Sequence, residues 1–179
     1  MCNATFARVL MVPVVVLCVA APVAAADPPK DEIGISYSVL HLPGGTFPLG
    51  WVFAVDHNVT KSMAIVGEVD GNYKRITELG HAETMKDHAV LGGIKITSRA
   101  NPSVAPFVQI LAGISNVGTE TLNFDVWGTS LTFQPGAGVD IRIGAKAALR
   151  LQGDYRKHGL YGSHGFRAAG GLVFGSGKR

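Results

Sequence analysis

A period of two in hydrophobicity constrains this chain more than any other feature. Between residues 130 and 143 the odd positions are Leu131, Phe133, Pro135, Ala137, Val139, Ile141 and Ile143; the even positions are Ser130, Thr132, Gln134, Gly136, Gly138, Asp140 and Arg142. Successive side chains of a strand point to opposite faces, so such a run has one oily face and one polar face. The pattern recurs at 32–41 (Ile33, Ile35, Tyr37, Val39) and at 51–59 (Trp51, Phe53, Val55 against Asp56, Asn58). In 63–73, Met63, Ile65, Val69 and Tyr73 oppose Glu68, Asp70 and Asn72, and in 89–99, Val90, Ile94 and Ile96 oppose Lys95, Thr97 and Arg99. In 106–116, Val108, Ile110 and Ile114 oppose Gln109 and Ser115. In 147–156, Ala147, Leu149, Leu151 and Tyr155 oppose Arg150, Gln152, Asp154 and Arg156, and in 166–174, Phe166, Ala168, Leu172 and Phe174 oppose Arg167. These runs predict eight strands, and no long segment carries a helical period.

The predicted connections alternate in length. Long ones at 41–50, 74–87, 117–129 and 157–165 are separated by short ones at 60–62, 100–105 and 144–146. An antiparallel up-and-down barrel built from hairpins has this rhythm, with tight turns at one rim and longer loops at the other. No linker divides the segment, which reads as one domain.

A barrel can hide its oily face around a ligand or turn it toward lipid, and charge separates the two. Only 16% of the residues are charged, against about 25% in soluble domains. A water-facing polar surface would carry more Lys and Glu. The strand charges instead pair across predicted hairpins: Asp140 with Arg150, Glu68 with Lys95, Asp154 with Arg167. Such pairs matter where water is scarce. Trp51, Tyr73, Tyr155 and Phe166 gather near the long-loop rim of the oily face, and Phe174 lies near the other rim. Aromatic girdles of this kind mark membrane interfaces. The expectation is an all-β, eight-stranded antiparallel transmembrane β-barrel.

Residues 1–26 read as an export signal. Arg8 precedes an apolar run, Val9 to Ala20, and the segment closes on Ala24-Ala25-Ala26. This is the layout of a secretory signal cut after Ala25 or Ala26, leaving 27–179 as the barrel domain. The run is too short for a spanning helix and is interrupted by Pro13 and Pro22. Leu17 before Cys18 does not suit lipid attachment. Cys2 and Cys18 both fall in the signal, so a disulfide scaffold or a thiolate site is excluded from the mature chain. A net charge of +3 is too weak to point to nucleic acid.

The stretches Pro135-Gly136-Ala137-Gly138-Val139-Asp140-Ile141-Arg142, Ala148-Leu149-Arg150-Leu151-Gln152-Gly153-Asp154-Tyr155-Arg156 and Phe166-Arg167-Ala168-Ala169-Gly170-Gly171-Leu172-Val173-Phe174 resemble the last three strands of the small eight-stranded outer-membrane barrels, the OmpA-like and OmpX-like porin family. The resemblance implies residence in the outer membrane, long loops facing outward, and assembly by the barrel-assembly machinery. Members tend to finish on an aromatic residue, whereas here Phe174 is followed by Gly-Ser-Gly-Lys-Arg.

An eight-stranded barrel is just wide enough for side chains to fill. Glu68, Asp70, Lys95, Asp140, Arg142, Arg150, Asp154, Arg156 and Arg167 are the expected filling. This implies a structural or surface-interaction protein with at most small-ion conductance. Its partners are outer-membrane lipids, with any extracellular ligand meeting the four long loops, and no cofactor is expected. Three other readings exist. Glu68 and Lys95 could exchange partners as an ion gate. Ser163, His164 and Glu120 could serve a lipid-modifying hydrolase, although strand neighbours point to opposite faces, which is poor triad geometry. A periplasmic lipocalin-like carrier would need the same strands turned inside out. The six histidines, among them His81, His88, His158 and His164, form no tight ligand set. Pro135 lacks an amide donor and predicts a bulge or a missing ladder bond.

Overall fold

The computed structural model describes residues 28–78, 81–120, 125–159 and 162–176. The segment read as an export signal lies outside them. Eight strands follow one another: β1 (Asp31–Leu42), β2 (Gly45–Asn58), β3 (Met63–Glu78), β4 (His81–Thr97), β5 (Val104–Glu120), β6 (Asp125–Arg142), β7 (Ala147–His158) and β8 (His164–Ser176). Each pairs antiparallel with the next, and β8 returns to β1, closing the barrel. Closure leaves no unpaired edge.

The oily face points outward. Ile35, Ile65, Val90, Ile110, Leu131 and Leu172 are all exposed, Leu131 to 71%. Asp70, Lys95, Gln134 and Arg156 are each 0% exposed. A soluble carrier would reverse this arrangement. A surface with a continuous aliphatic belt and a charged interior can be solvated only by hydrocarbon outside, so the strands span a membrane.

Short turns close one rim. In the β2–β3 turn the Thr60 hydroxyl accepts hydrogen bonds from the Ser62 and Met63 amides at 3.2 and 2.9 Å. In the β4–β5 turn the Asn101 side-chain oxygen accepts from Ser103 and Val104 at 2.8 and 3.3 Å. Both are side-chain substitutes for backbone turn bonds. At the opposite rim the β1–β2 turn leads into Gly45, at φ 121°, a conformation that side chains disfavour.

That second rim departs from expectation. Most of 41–50, 74–87 and 117–129 is strand, not loop, and 157–158 and 164–165 are strand as well. β3 and β4 stay paired as far as Glu78 with His81, and β5 with β6 as far as Glu120 with Asp125. Above the lipid neither face has to be oily, so the hydrophobic alternation ends while the backbone ladder continues. Pro135 interrupts the β6–β7 ladder: pairing passes from Phe133–Lys157 to Gly136–Asp154 with the register unchanged.

Gly171 sits on the closing β1–β8 seam opposite Ser36. A Cβ there would overlap the Ile35 carbonyl oxygen and the Ser36 Cα. Gly171→Ala should cost about 1–3 kcal/mol through the backbone shift it forces. Gly67→Ala, where a Cβ meets nothing within 4 Å, should stay within about 0.5 kcal/mol. The temperature at which the folded band is lost on detergent gels checks both.

Candidate functional site

The lumen is the site, because the inward parity of all eight strands delivers polar side chains to one enclosed volume. Two ion-paired clusters fill it. Near the short-turn rim, Lys95 on β4 binds Asp56 on β2 and lies 3.4 Å from Glu32 on β1. Arg150 on β7 donates to both oxygens of Asp140 on β6 at 2.8 and 2.9 Å and reaches Asp56 at 3.1 Å. Arg99, just past β4, donates to Glu32 at 2.9 Å. The Phe107 ring is shared by two cations, with Lys95 Nζ 5.4 Å and the Arg150 guanidinium 5.0 Å from its centroid. Cation–π contacts strengthen when desolvated.

The second cluster is deeper. Arg167 on β8 donates to Asp154 at 2.8 and 2.9 Å, to Asp70 at 3.0 Å and to Glu68 at 2.8 Å. Arg156 on β7 holds Asp70 with two donors and the Gln134 side-chain oxygen at 2.8 Å. Gln134 passes the network on by donating to Glu68 at 2.9 Å. Beyond it lies a polar group of His158, Ser115, Thr132 and Asp87. Toward the β1–β2 turn, Leu40, Leu42 and Phe47 form a buried apolar cluster against Met85. A second apolar patch, Val66, Ala89, Leu91 and Leu111, lines the wall of β3 to β5.

Of the expected filling, Glu68, Asp70, Lys95, Arg150, Asp154, Arg156 and Arg167 are buried, and the Asp140 side chain is 12% exposed. Arg142 is not part of the filling. It has inward parity but sits at the end of β6, pairs with Ala148, and is exposed at the mouth. Asp140 does oppose Arg150, and Asp154 opposes Arg167. Glu68 opposes Leu91, and Lys95 opposes Ala64. The β3–β4 register is centred nearer the N-terminus than the sequence suggested, with Glu78 opposite His81. Glu68 and Lys95 therefore belong to different clusters, and the gate built on their exchange has no structural basis.

Sequence reasoning missed Glu32, Asp56, Asp87, Arg99 and His158. The signal was present, since Asp56 shares parity with Asn58, and Asp87 and His158 extend the polar faces of β4 and β7.

On the outer face, Trp51 Nε1 donates to the Tyr73 hydroxyl at 3.3 Å. Tyr155 meets Phe166 edge-on with centroids 5.3 Å apart. Phe174 is exposed near the other rim, and Tyr37 and Trp127 add to the outward aromatics. His88 packs on Tyr73.

His164 leans on Tyr155 with centroids 6.0 Å apart, and among the described residues it makes no hydrogen bond to Ser163. Ser115, His158 and Asp87 do line up, but all three are buried, at 1%, 1% and 0% exposure. Among the described residues no cluster of three or more His, Cys, Asp or Glu is placed to hold a metal ion. A cavity of about 620 Å³ opens at the short-turn mouth, lined in part by Arg99, Arg142, Lys146, Ser103 and Val173, with Glu32 and Asp140 also facing it.

No family model matches the chain, and no curated protein matches it. Solved structures do. Neisserial surface protein A is similar with a TM-score of 0.64 at 8% identity, over 81% of this chain and 95% of that one. Ail, the attachment invasion locus protein of Yersinia pestis, solved with the heparin analogue sucrose octasulfate, is similar with a TM-score of 0.59 at 15% identity, over 80% and 95%. The N-terminal β-barrel domain of Pseudomonas aeruginosa OprF gives 0.55 at 10% identity, over 82% and 99%. The fold is that of the small eight-stranded outer-membrane barrels.

Proposed function

We propose that this chain is a closed outer-membrane barrel with a structural or surface-contact role, non-enzymatic and without a solute pore. One observation carries this reading: guanidinium groups from β7 and β8 are bonded across the lumen to carboxylates of β3, so side chains occupy the space a solute would need. The aliphatic belt supplies the lipid contact, and residues 1–26 supply export before removal. The barrel-assembly machinery is the partner for insertion. With the start of β1 and the end of β8 at the short-turn rim, that rim faces the periplasm. An extracellular ligand then meets the rim where β1 and β2, β3 and β4, β5 and β6, and β7 and β8 are joined.

The test is conductance. Purified, folded protein in planar bilayers should give no sustained steps of the size expected of an open diffusion pore. Regular steps whose size falls with added non-electrolyte would defeat the reading. Membrane fractionation adds a second check, since recovery in the soluble periplasmic fraction would favour a carrier. Release of deacylated lipid A on expression would favour a hydrolase.

A further inference from the structure

The two lumen clusters differ in charge balance. Near the short-turn rim, Glu32, Asp56 and Asp140 face Lys95, Arg99 and Arg150, one cation for each carboxylate. In the deeper cluster, Glu68, Asp70, Asp87 and Asp154 face, among the described residues, two guanidinium groups, Arg156 and Arg167. Uncompensated charge in a water-poor interior is costly. Asp87 is the least served of the four carboxylates: its Oδ2 receives one long bond from Arg156, 3.4 Å, and its Oδ1 has no hydrogen-bond partner.

The side chain facing it is His158. Its Nδ1 lies 2.8 Å from the Ser115 hydroxyl and 3.3 Å from that of Thr132. Its Nε2 has no hydrogen-bond partner and points at Asp87 Oδ2 from 3.8 Å. An unpartnered ring nitrogen thus faces a carboxylate that holds one long bond on Oδ2 and none on Oδ1.

We propose that Asp87 and His158 form a proton-binding site in the lumen, which retains one proton at pH values where exposed histidines have lost theirs. A proton on His158 makes it a cation beside Asp87; a proton on Asp87 removes one of the surplus negative charges. Either placement eases the imbalance, and a proton needs no more room than the site offers. The groups facing the pair are Asp70 and Asn72 on β3, Ser115 on β5, Thr132 on β6 and Arg156 on β7, with Arg167 on β8 reached through Asp70. The Ser115 and Thr132 hydroxyls, 2.6 Å apart, can each turn to donate or accept, so they suit either state of the ring.

The full mature chain, folded in detergent micelles with 15N-labelled histidine and 13C-labelled aspartate, tests this at pH 8. The expected result is either an imidazolium nitrogen pattern or a carboxylic-acid carbonyl signal. His158→Gln should remove the first, and Asp87→Asn should remove the second. Free imidazole in the same buffer serves as the reference, because an ordinary histidine side chain is neutral at that pH. Neutral imidazole throughout, together with fully ionised aspartates, would overturn the proposal. So would an acid signal that survives Asp87→Asn. Where a variant does not fold, Asp87→Glu replaces it, and the wild-type spectrum alone still separates one proton from none.

Discussion

Arg167→Met should be among the most destabilising single changes in the barrel. The guanidinium is 1% exposed and satisfies Glu68, Asp70 and Asp154 at once. Removing one partner of a buried ionic network costs about 3–5 kcal/mol, because the remaining charges are stranded without water. Urea unfolding of protein inserted in lipid vesicles reads the loss as a lower midpoint at similar slope. The triple variant Arg167→Met, Glu68→Gln, Asp154→Asn should recover most of it, since neutral partners no longer need the cation. Arg167→Lys should fall between, because an ammonium lacks the planar fork that serves three carboxylates. A wild-type midpoint for Arg167→Met alone would mean the network contributes nothing to stability.

Ile110→Arg is the second large effect. Ile110 stands outward at 50% exposure, between Ile94 on β4 and Pro135 on β6. In water such an exposed site would tolerate Arg. In the middle of a hydrocarbon belt the substitution should cost about 2–4 kcal/mol, falling to about 0–1 kcal/mol near the interface. Thr129→Arg, outward on the same wall but closer to the long-strand rim, is the matched control. The same vesicle assay should therefore rank the two variants by depth. Equal costs would contradict a belt immersed in lipid.

Parity was legible in the sequence; register was not. The oily and polar faces of β6 could be assigned residue by residue because lipid enforces strict alternation there. Tight hairpins were legible as well. The β6–β7 turn at 143–146 is short and Gly-containing, which fixed Asp140 opposite Arg150. The β3–β4 hairpin offered no such turn signal, and its polar upper arms read as loop, so Lys95 was paired with the wrong carboxylate. The error kept both residues facing inward, because it displaced the turn without changing parity. Arg142 failed for another reason. Parity says which way a residue points but not where the enclosed volume ends, and Arg142 lies just past that end. Asp87 and His158 were obscured because they sit where the outward alternation fades, so their strands were drawn too short to include them.

Several of the ion pairs that fill the barrel join residues far apart along the chain, from Glu68 to Arg167 and from Asp56 to Arg150. None of these bridges can form in a sheet that has not yet curled shut. A half-assembled intermediate would present naked carboxylates and guanidiniums to the surrounding fatty acyl chains. Insertion of this protein should therefore proceed as a single concerted step, with curling and membrane entry inseparable, and a stalled fragment lacking its last two strands should be rejected by the bilayer rather than stored in it.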